Sequence, residues 1–181
     1  MLERVELAMP TLPTGTLLKT VAAPNQALSS LCAEVDPKDS NILQLAADLI
    51  TTMHANKGCV GLAANQVGRA VRVFALDVSN HPKTTKSHGL FVLINPEIVS
   101  SSRNEKSREG CLSVPDFTGD VKRATQLTIT GYLPGSDSQI TIETQGFEAK
   151  AIGHEIDHLN GYLFLDRVAG AHAIFPRKRY L

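Results

Sequence analysis

The order of apolar and polar residues predicts a helix in the first third of the chain. Five apolar residues recur at helical spacing, in the pattern of one buried face: Ile42, Leu45, Ala46, Leu49 and Met53. Asp39 or Ser40 can cap a helix that begins near Asn41, and Asn56-Lys57-Gly58 is a typical helix end. The preceding residues, through position 38, contain four prolines and lack this spacing, so we expect irregular structure there.

Short apolar runs predict the first strands. Residues 71–78 and 90–94 are mostly apolar and have the length of buried strands. We expect Asn95-Pro96 to end the second strand, because proline lacks the N–H that a strand ladder uses. Residues 79–89 are a polar loop between the two strands, and residues 100–108 are a second polar stretch.

Two later segments alternate between apolar and polar residues with period two, as half-buried strands do. These segments are residues 126–133 and 139–144, and Pro134-Gly135-Ser136-Asp137 between them predicts a hairpin turn. One side of this hairpin would carry four apolar residues: Leu127, Ile129, Ile140 and Ile142.

The last clear element is a helix from about Gly146 to Asn160, ended by Asn160-Gly161. Four residues on its predicted inner face follow helical spacing: Phe147, Ala151, His154 and His158. Because strands precede this late helix rather than alternating with helices, the order of elements predicts an α+β fold.

Composition limits the protein's class. The chain has 181 residues, of which 43% are hydrophobic and 20% charged, as expected for one domain with a real core. Lys plus Arg and Asp plus Glu are 18 each, so there is no basic excess for binding DNA or an anionic membrane. No apolar run has the length of about 18–20 residues that a membrane-spanning helix requires.

The chain's beginning and its cysteines bear on the compartment. Met1–Glu6 carries acidic residues and does not resemble a secretory signal or an Arg-rich transit peptide. There are three cysteines (Cys32, Cys59 and Cys111), an odd number without a Cys-x-x-Cys pair. This pattern favours a reducing compartment and makes a disulfide framework improbable.

The strongest chemical signal is His154-Glu155-Ile156-Asp157-His158. On a helix, His154 and His158 lie one turn apart on one face, so both imidazoles can bind one metal ion. Glu155 lies beside them as a candidate general base. The alternative is a pair of helix histidines with ordinary core or surface roles.

A catalytic metal site needs a third protein ligand. In metallopeptidases that use a third histidine, that histidine would fall at position 164, which here is Phe164. Others use an acidic ligand further downstream, but the region around Arg177 is basic. A downstream third ligand is therefore not expected. Upstream, Cys111 offers a thiolate, although a buried inert thiol is the usual state of a free cysteine. Gln66 offers an amide donor that could hold an oxyanion, although its small-residue segment could also be a packing turn.

Three segments together resemble the peptide deformylase family. With φ for an apolar residue, its motifs are Gly-φ-Gly-φ-Ala-Ala-x-Gln, Glu-Gly-Cys-φ-Ser and Gln-His-Glu-φ-Asp-His-φ-x-Gly. They match Cys59-Val60-Gly61-Leu62-Ala63-Ala64-Asn65-Gln66, Glu109-Gly110-Cys111-Leu112-Ser113 and Gly153-His154-Glu155-Ile156-Asp157-His158-Leu159-Asn160-Gly161. The order and separations also fit, over about residues 15–168. Cys59 and Gly153 depart from the pattern.

The resemblance implies a metal-dependent hydrolase that removes the N-formyl group from the initiator methionine of new polypeptides and releases formate. It implies Cys111, His154 and His158 as ligands of one Fe2+ ion per chain, for which Zn2+, Ni2+ or Co2+ could substitute. The implied partners are nascent formyl-methionine polypeptides and, transiently, the ribosome, without DNA or a membrane. A bacterial-type cytoplasmic location is expected, and an organellar origin remains open.

The same resemblance implies further site residues. Glu155 would be the acid/base, with Gln66 and the Leu112 backbone N–H holding the oxyanion. Substrate would pair with backbone near Val60, Gly61 and Gly110. The helix positions of Phe147 and Ala151 add an apolar pocket suited to methionine, although both could be ordinary core residues.

The expected fold has small antiparallel or mixed β-sheets packed around a central C-terminal helix that carries His-Glu-x-x-His. We expect one catalytic domain over residues 1–181, with a core at about 15–168 and a short C-terminal tail at 169–181. The family often places a peptide-contacting arginine after its second motif, but residues 116–119 contain none. Two rival hypotheses are a His-Glu-x-x-His metallopeptidase that cuts peptide bonds and a metal-binding module without catalysis.

Overall fold

The computed structural model describes residues 3–4 and 6–177. Its α-helices are α1 (Ser40–Ala55) and α2 (Gly146–Leu159). Its strands are β1 (Glu3–Arg4), β2 (Gly61–Ala63), β3 (Val73–Leu76), β4 (Lys86–Ser87), β5 (Phe91–Cys111), β6 (Val114–Tyr132), β7 (Gln139–Gln145) and β8 (Ile174–Pro176). Short 3-10 helices occur at Gln26–Ser29, Ala64–Val67, Phe164–Arg167 and Ala171–Ala173.

The larger sheet has six strands in the order β2-β3-β5-β6-β7, with β8 paired to another part of β6. All of its pairings are antiparallel, whereas β1 and β4 form a separate two-stranded parallel sheet. Both predicted helices exist, and Asp39 caps α1 by accepting from the backbone N–H of Asn41 at 2.8 Å. The α+β class predicted from the order of elements is confirmed.

The strand that enters at Phe91 is much longer than its apolar run predicted. The prediction that Asn95-Pro96 ends it was wrong, because the chain passes Pro96 through a register shift between Ile94 and Glu97 and continues to Cys111. Asn95 has φ 49° there, and its side chain bonds both the N–H and the C=O of Val35.

The polar stretch 100–108 is therefore part of β5, in a long ribbon with β6. The described strands pair with this part of β5 on one side only, and most of its residues are exposed. A strand that buries neither face has no reason to alternate apolar and polar residues, which explains why the sequence pattern missed it. The predicted strand at 126–133 is likewise the end of a strand that begins at Val114.

Two helices cover opposite faces of the central strands. Residues of α2 such as Ile152 and Ile156 pack with Leu127, Ile129 and Ile142, which confirms the predicted apolar side of the second hairpin. Residues of α1 pack instead with the alternate positions of β3 and β5. Burial on both faces explains the continuous apolar runs of these two strands.

The chain returns to the sheet after α2. The region predicted as a tail contains β8, whose residues Ile174–Pro176 pair with Phe117–Gly119 of β6. The inferences drawn from Met1–Glu6 and from the basic residues Lys178 and Arg179 depend in part or wholly on positions outside the described residues. No described helix is both long enough and apolar enough to cross a bilayer.

Candidate active site

Three potential metal ligands from two elements converge in the interior. His154 and His158 lie one turn apart on α2, and Cys111 is the last residue of β5. The Cys111 sulfur is 3.2 Å from Nε2 of His158, which is 3.1 Å from Nε2 of His154. Cys111 and His158 are buried, and the three donor atoms lie within 4.8 Å of one another.

This arrangement fits one small divalent ion. Donors bound to a shared ion at about 2.0–2.3 Å stand a little over 3 Å apart, as these atoms do. The Nε2 atoms of both histidines are directed at this group and form no hydrogen bond to any other described residue. A thiolate with two imidazoles suits iron, zinc, nickel or cobalt.

A buried ion network supports the first histidine from behind. Glu109 lies 2.8 Å from Nδ1 of His154 and accepts two hydrogen bonds from Arg123, at 2.7 and 3.0 Å. Burial alone would raise the pKa of Glu109, but hydrogen bonds from His154 and Arg123 lower it to about 2. Arg123 also pairs with Asp157, and Arg167 binds the same carboxylate at 2.7 Å. The network fixes the orientation of the His154 ring.

Glu155 lies beside the three donors and is 4% exposed. Its Oε2 forms no hydrogen bond with the described residues, and burial raises the pKa of this carboxyl to about 7. Gly61 approaches so closely that any side chain there would collide with the carboxylate. A carboxyl with these properties can both accept and return a proton near neutral pH.

Gln66 is held firmly against the same centre. Its Oε1 accepts the N–H of Ala63 at 2.9 Å, so its Nε2 donates toward Cys111 and Ser113, each at 3.2 Å. The neighbouring Asn65 donates to the C=O of His158 at 2.5 Å and connects this segment to α2. The segment is therefore more than a packing turn, because it presents a fixed amide N–H to the donor cluster.

A cavity of about 270 Å³ opens onto this cluster. Ten of the residues predicted for the site line it: Val60, Gly61, Gln66, Gly110, Cys111, Leu112, Phe147, Ala151, His154 and Glu155. His158 does not line the cavity and is fully buried behind it.

The cavity also contains residues that sequence reasoning missed. His81, from the polar loop, stacks on Phe147 with ring centres 3.8 Å apart, and Arg177 reaches the cavity from the C-terminal region. Neither residue lies in a recognisable motif. Cys59, which departs from the first family motif, also lines the cavity. Its thiol donates to the C=O of Gly61 at 3.1 Å, and burial raises its pKa to about 12.

Comparisons with known proteins agree with this architecture. The family model described as polypeptide deformylase matches residues 17–173. The chain is 39% identical over 164 residues to a peptide deformylase of Syntrophobacter fumaroxidans, covering 90% of this chain and 93% of that protein. It is 42% identical over 151 residues to that of Carboxydothermus hydrogenoformans, covering 83% and 86% of the two chains.

Solved structures give the same result. The crystal structure of peptide deformylase from Thermotoga maritima is similar with a TM-score of 0.77 and 31% identity, over 86% of this chain and 99% of that chain. The structure from Ehrlichia chaffeensis gives 0.77 and 35%, over 85% and 89%. Likeness in sequence and in fold therefore extends over most of both chains.

Proposed function

The chain belongs to the peptide deformylase family, and we propose that Cys111, His154 and His158 hold one ferrous ion (Fe2+) at the centre of its reaction. The enzyme removes the N-formyl group from the N-terminal formyl-methionine of new polypeptides and releases formate. Zn2+, Ni2+ or Co2+ could replace iron, because all four bind thiolate and imidazole. When bound, such an ion supplies a Lewis acid that polarises the formyl carbonyl and activates water.

Glu155 is proposed as the general acid/base. It accepts a proton from the attacking water and delivers it to the amine that leaves as the formyl C–N bond breaks. Its burial, the free Oε2 and the pKa of about 7 support both halves of this role.

Gln66 and the backbone N–H of Leu112 are proposed to stabilise the oxyanion that develops on the formyl carbonyl. Gln66 suits this role because its Oε1 is engaged by Ala63, which leaves Nε2 directed at the donor cluster. A donor that is already oriented needs no rearrangement as charge develops. Leu112 lines the cavity directly after Cys111, in the turn between β5 and β6.

Phe147 and Ala151 are proposed to line the pocket that receives the methionine side chain. Both lie on α2 ahead of His154 and face the cavity. The backbone of Val60, Gly61 and Gly110 is proposed to pair with the peptide in strand-like fashion. The described strands leave one edge of β5 near Gly110 without a partner, which gives an extended peptide a place to bind.

Nascent polypeptides are the macromolecular substrate, and we propose transient ribosome contact and a bacterial-type cytoplasmic location. An organellar location would suit the same chemistry. We further propose that residues 1–181 act as one catalytic domain. The alternative of a peptide-bond-cutting metallopeptidase is disfavoured, since Phe164 occupies its third-histidine position and is buried in an apolar cluster.

The convergence of three donors beside Glu155 is the observation that carries this proposal. Protein purified without oxygen should contain about one iron per chain and release formate from formyl-Met-Ala-Ser. Casein should remain uncut. Metal-loaded protein that releases no formate, or that digests casein, would contradict the proposal.

A further inference from the structure

Positive charge is concentrated at the cavity, although the whole chain is neutral. The cavity is lined by five cationic side chains: Lys57, Lys83, Arg108, Lys150 and Arg177. Two acids line it as well. Glu109 is largely buried, with its side chain 10% exposed, and is paired with Arg123, and Glu155 is buried beside the donor cluster. An approaching substrate therefore meets a basic rim.

Three of these cations are available to bind an anion. Arg108 is paired with Asp120 at 2.5 Å, and Lys150 with Glu105 at 3.0 Å. Lys57, Lys83 and Arg177 pair with no carboxylate of the part of the chain that the structure describes. Of these three, Lys57 and Lys83 are exposed and Arg177 is half-buried. A half-buried cation without a carboxylate partner can form a strong charge-assisted hydrogen bond to one.

Arg177 is held directly beside the residue that supplies the sulfur of the donor cluster. Arg177 is the residue directly after strand β8, which pairs with β6. Its backbone N–H donates to the C=O of Asp116 at 2.8 Å and so continues that pairing. The guanidinium then donates to the C=O of Cys111 at 3.2 Å. It lies against Gly110, where any side chain would collide with it. The charge is therefore fixed beside the backbone at which an extended peptide would bind.

We propose that Arg177 is a substrate-selecting residue that favours formyl peptides bearing a carboxylate in the first few residues after the formyl-methionine. This inference rests on the proposed peptide path along Gly110. One guanidinium N–H is engaged by the Cys111 carbonyl, and the remaining donors of the fork can bind a carboxylate. Arg108, whose guanidinium lies 3.6 Å from the centre of the Phe175 ring on β8, is on the same rim but is paired with Asp120 and is not free to bind a substrate carboxylate.

Arg177 would contact the substrate carboxylate away from the formyl group that reacts. The contact should therefore strengthen substrate binding and leave the rate of the chemical step largely unchanged. We expect kcat/KM for an acidic peptide to exceed that for its neutral amide counterpart by about 3- to 10-fold, mainly through a lower KM. The ratio should fall toward one as NaCl is raised from about 0.05 M to about 0.5 M, since the rim is open to solvent.

The test compares formate release from formyl-Met-Ala-Asp-amide and formyl-Met-Ala-Asn-amide by the metal-loaded enzyme. A second pair, formyl-Met-Ala-Ala as the free acid and as the amide, separates a side-chain carboxylate from a chain-terminal one. Arg177→Gln should reduce the acidic-to-neutral ratio to near one, whereas Arg177→Lys should retain part of it. Arg69→Gln is the matched control, because Arg69 is exposed and lies outside the cavity.

The outcomes are distinguishable. No formate from any peptide by wild type would overturn the proposed function itself. Formate release with equal kcat/KM for both members of each pair, or a preference that Arg177→Gln keeps, would overturn the role of Arg177 alone. A preference only for the free-acid tripeptide would contradict selection by side chains. Loss of ribosome co-sedimentation in Arg177→Gln, without any peptide preference in wild type, would assign the rim to an RNA surface and also overturn the proposal.

Discussion

Oε2 of Glu109 lies 2.8 Å from Nδ1 of His154, and this contact ties the strand that ends in Cys111 to the helix that carries both histidines. Because Glu109 is also held by Arg123, the His154 ring is fixed on the side away from the proposed metal. The proposed metal ligands thus depend on a carboxylate that is not itself one of the three donors.

Glu109→Ala should weaken metal binding by about 10- to 100-fold, because His154 loses the partner that orients its ring. Competition with a chelator, followed by metal analysis, measures the change. Glu105→Ala is a suitable control, since Glu105 is exposed on the same strand and pairs only with Lys150 among the described residues. Equal metal affinity in the two variants would contradict the assigned role.

Glu155→Gln should lower kcat by at least about 100-fold while the metal content stays near one per chain. The amide keeps the shape of the carboxylate but cannot take a proton from water. Formate release and metal analysis on the same preparation provide the test. Substantial turnover by this variant would remove Glu155 from the mechanism.

Gln66→Met should lower kcat by about 100- to 1,000-fold with a smaller effect on KM, because the lost donor is the one proposed to stabilise the developing oxyanion. Steady-state kinetics on one neutral formyl peptide distinguishes the two parameters. The exposed Gln139 provides the matched Gln→Met control. A change confined to KM would instead assign Gln66 to substrate binding.

Glu148→Ala should destabilise the fold by about 3 kcal/mol, because it breaks a buried cluster whose members do not line the cavity. Glu148 is fully buried, accepts from the Thr144 hydroxyl at 2.7 Å and lies 2.7 Å from Nδ1 of His88. Urea unfolding measures the loss. Glu143→Ala, at an exposed position on β7, should change the free energy of unfolding by less than about 0.5 kcal/mol.

Acid should weaken the β5–β6 ribbon through Asp120. Hydrogen bonds from Arg108 and Lys106 lower the pKa of this carboxyl to about 2, below its unfolded value of about 3.9. The ionised carboxylate therefore contributes fully to the free energy of unfolding at pH values above its unfolded pKa. This contribution is lost as the pH falls toward 2. Between pH 5 and pH 3 the urea midpoint should fall less in Asp120→Asn than in wild type. An equal fall of the midpoint in the two proteins would contradict this assignment.

Much of the site was predictable from sequence because helical spacing is local. His154, Glu155 and His158 occupy positions on α2 that the 3.6-residue repeat fixes once the helix is recognised. The third proposed ligand was different. Residue patterns left Cys111 open between a ligand and an inert thiol, the family resemblance favoured the ligand, and only the fold brings its sulfur 3.2 Å from Nε2 of His158.

The sequence alone also determined the order of strands and helices that indicates an α+β fold. It likewise determined the motif that contains Cys111 and the net charge of zero. Only the tertiary structure decided that β5 continues through Pro96 and that Arg177 lies against Gly110, far from it in the chain. Local patterns record which face of an element is buried, whereas an exposed ribbon and a contact between distant segments leave no such periodicity. The net charge likewise does not say where folding places the charged residues. Here folding brings five cations to one cavity in a chain whose net charge is zero.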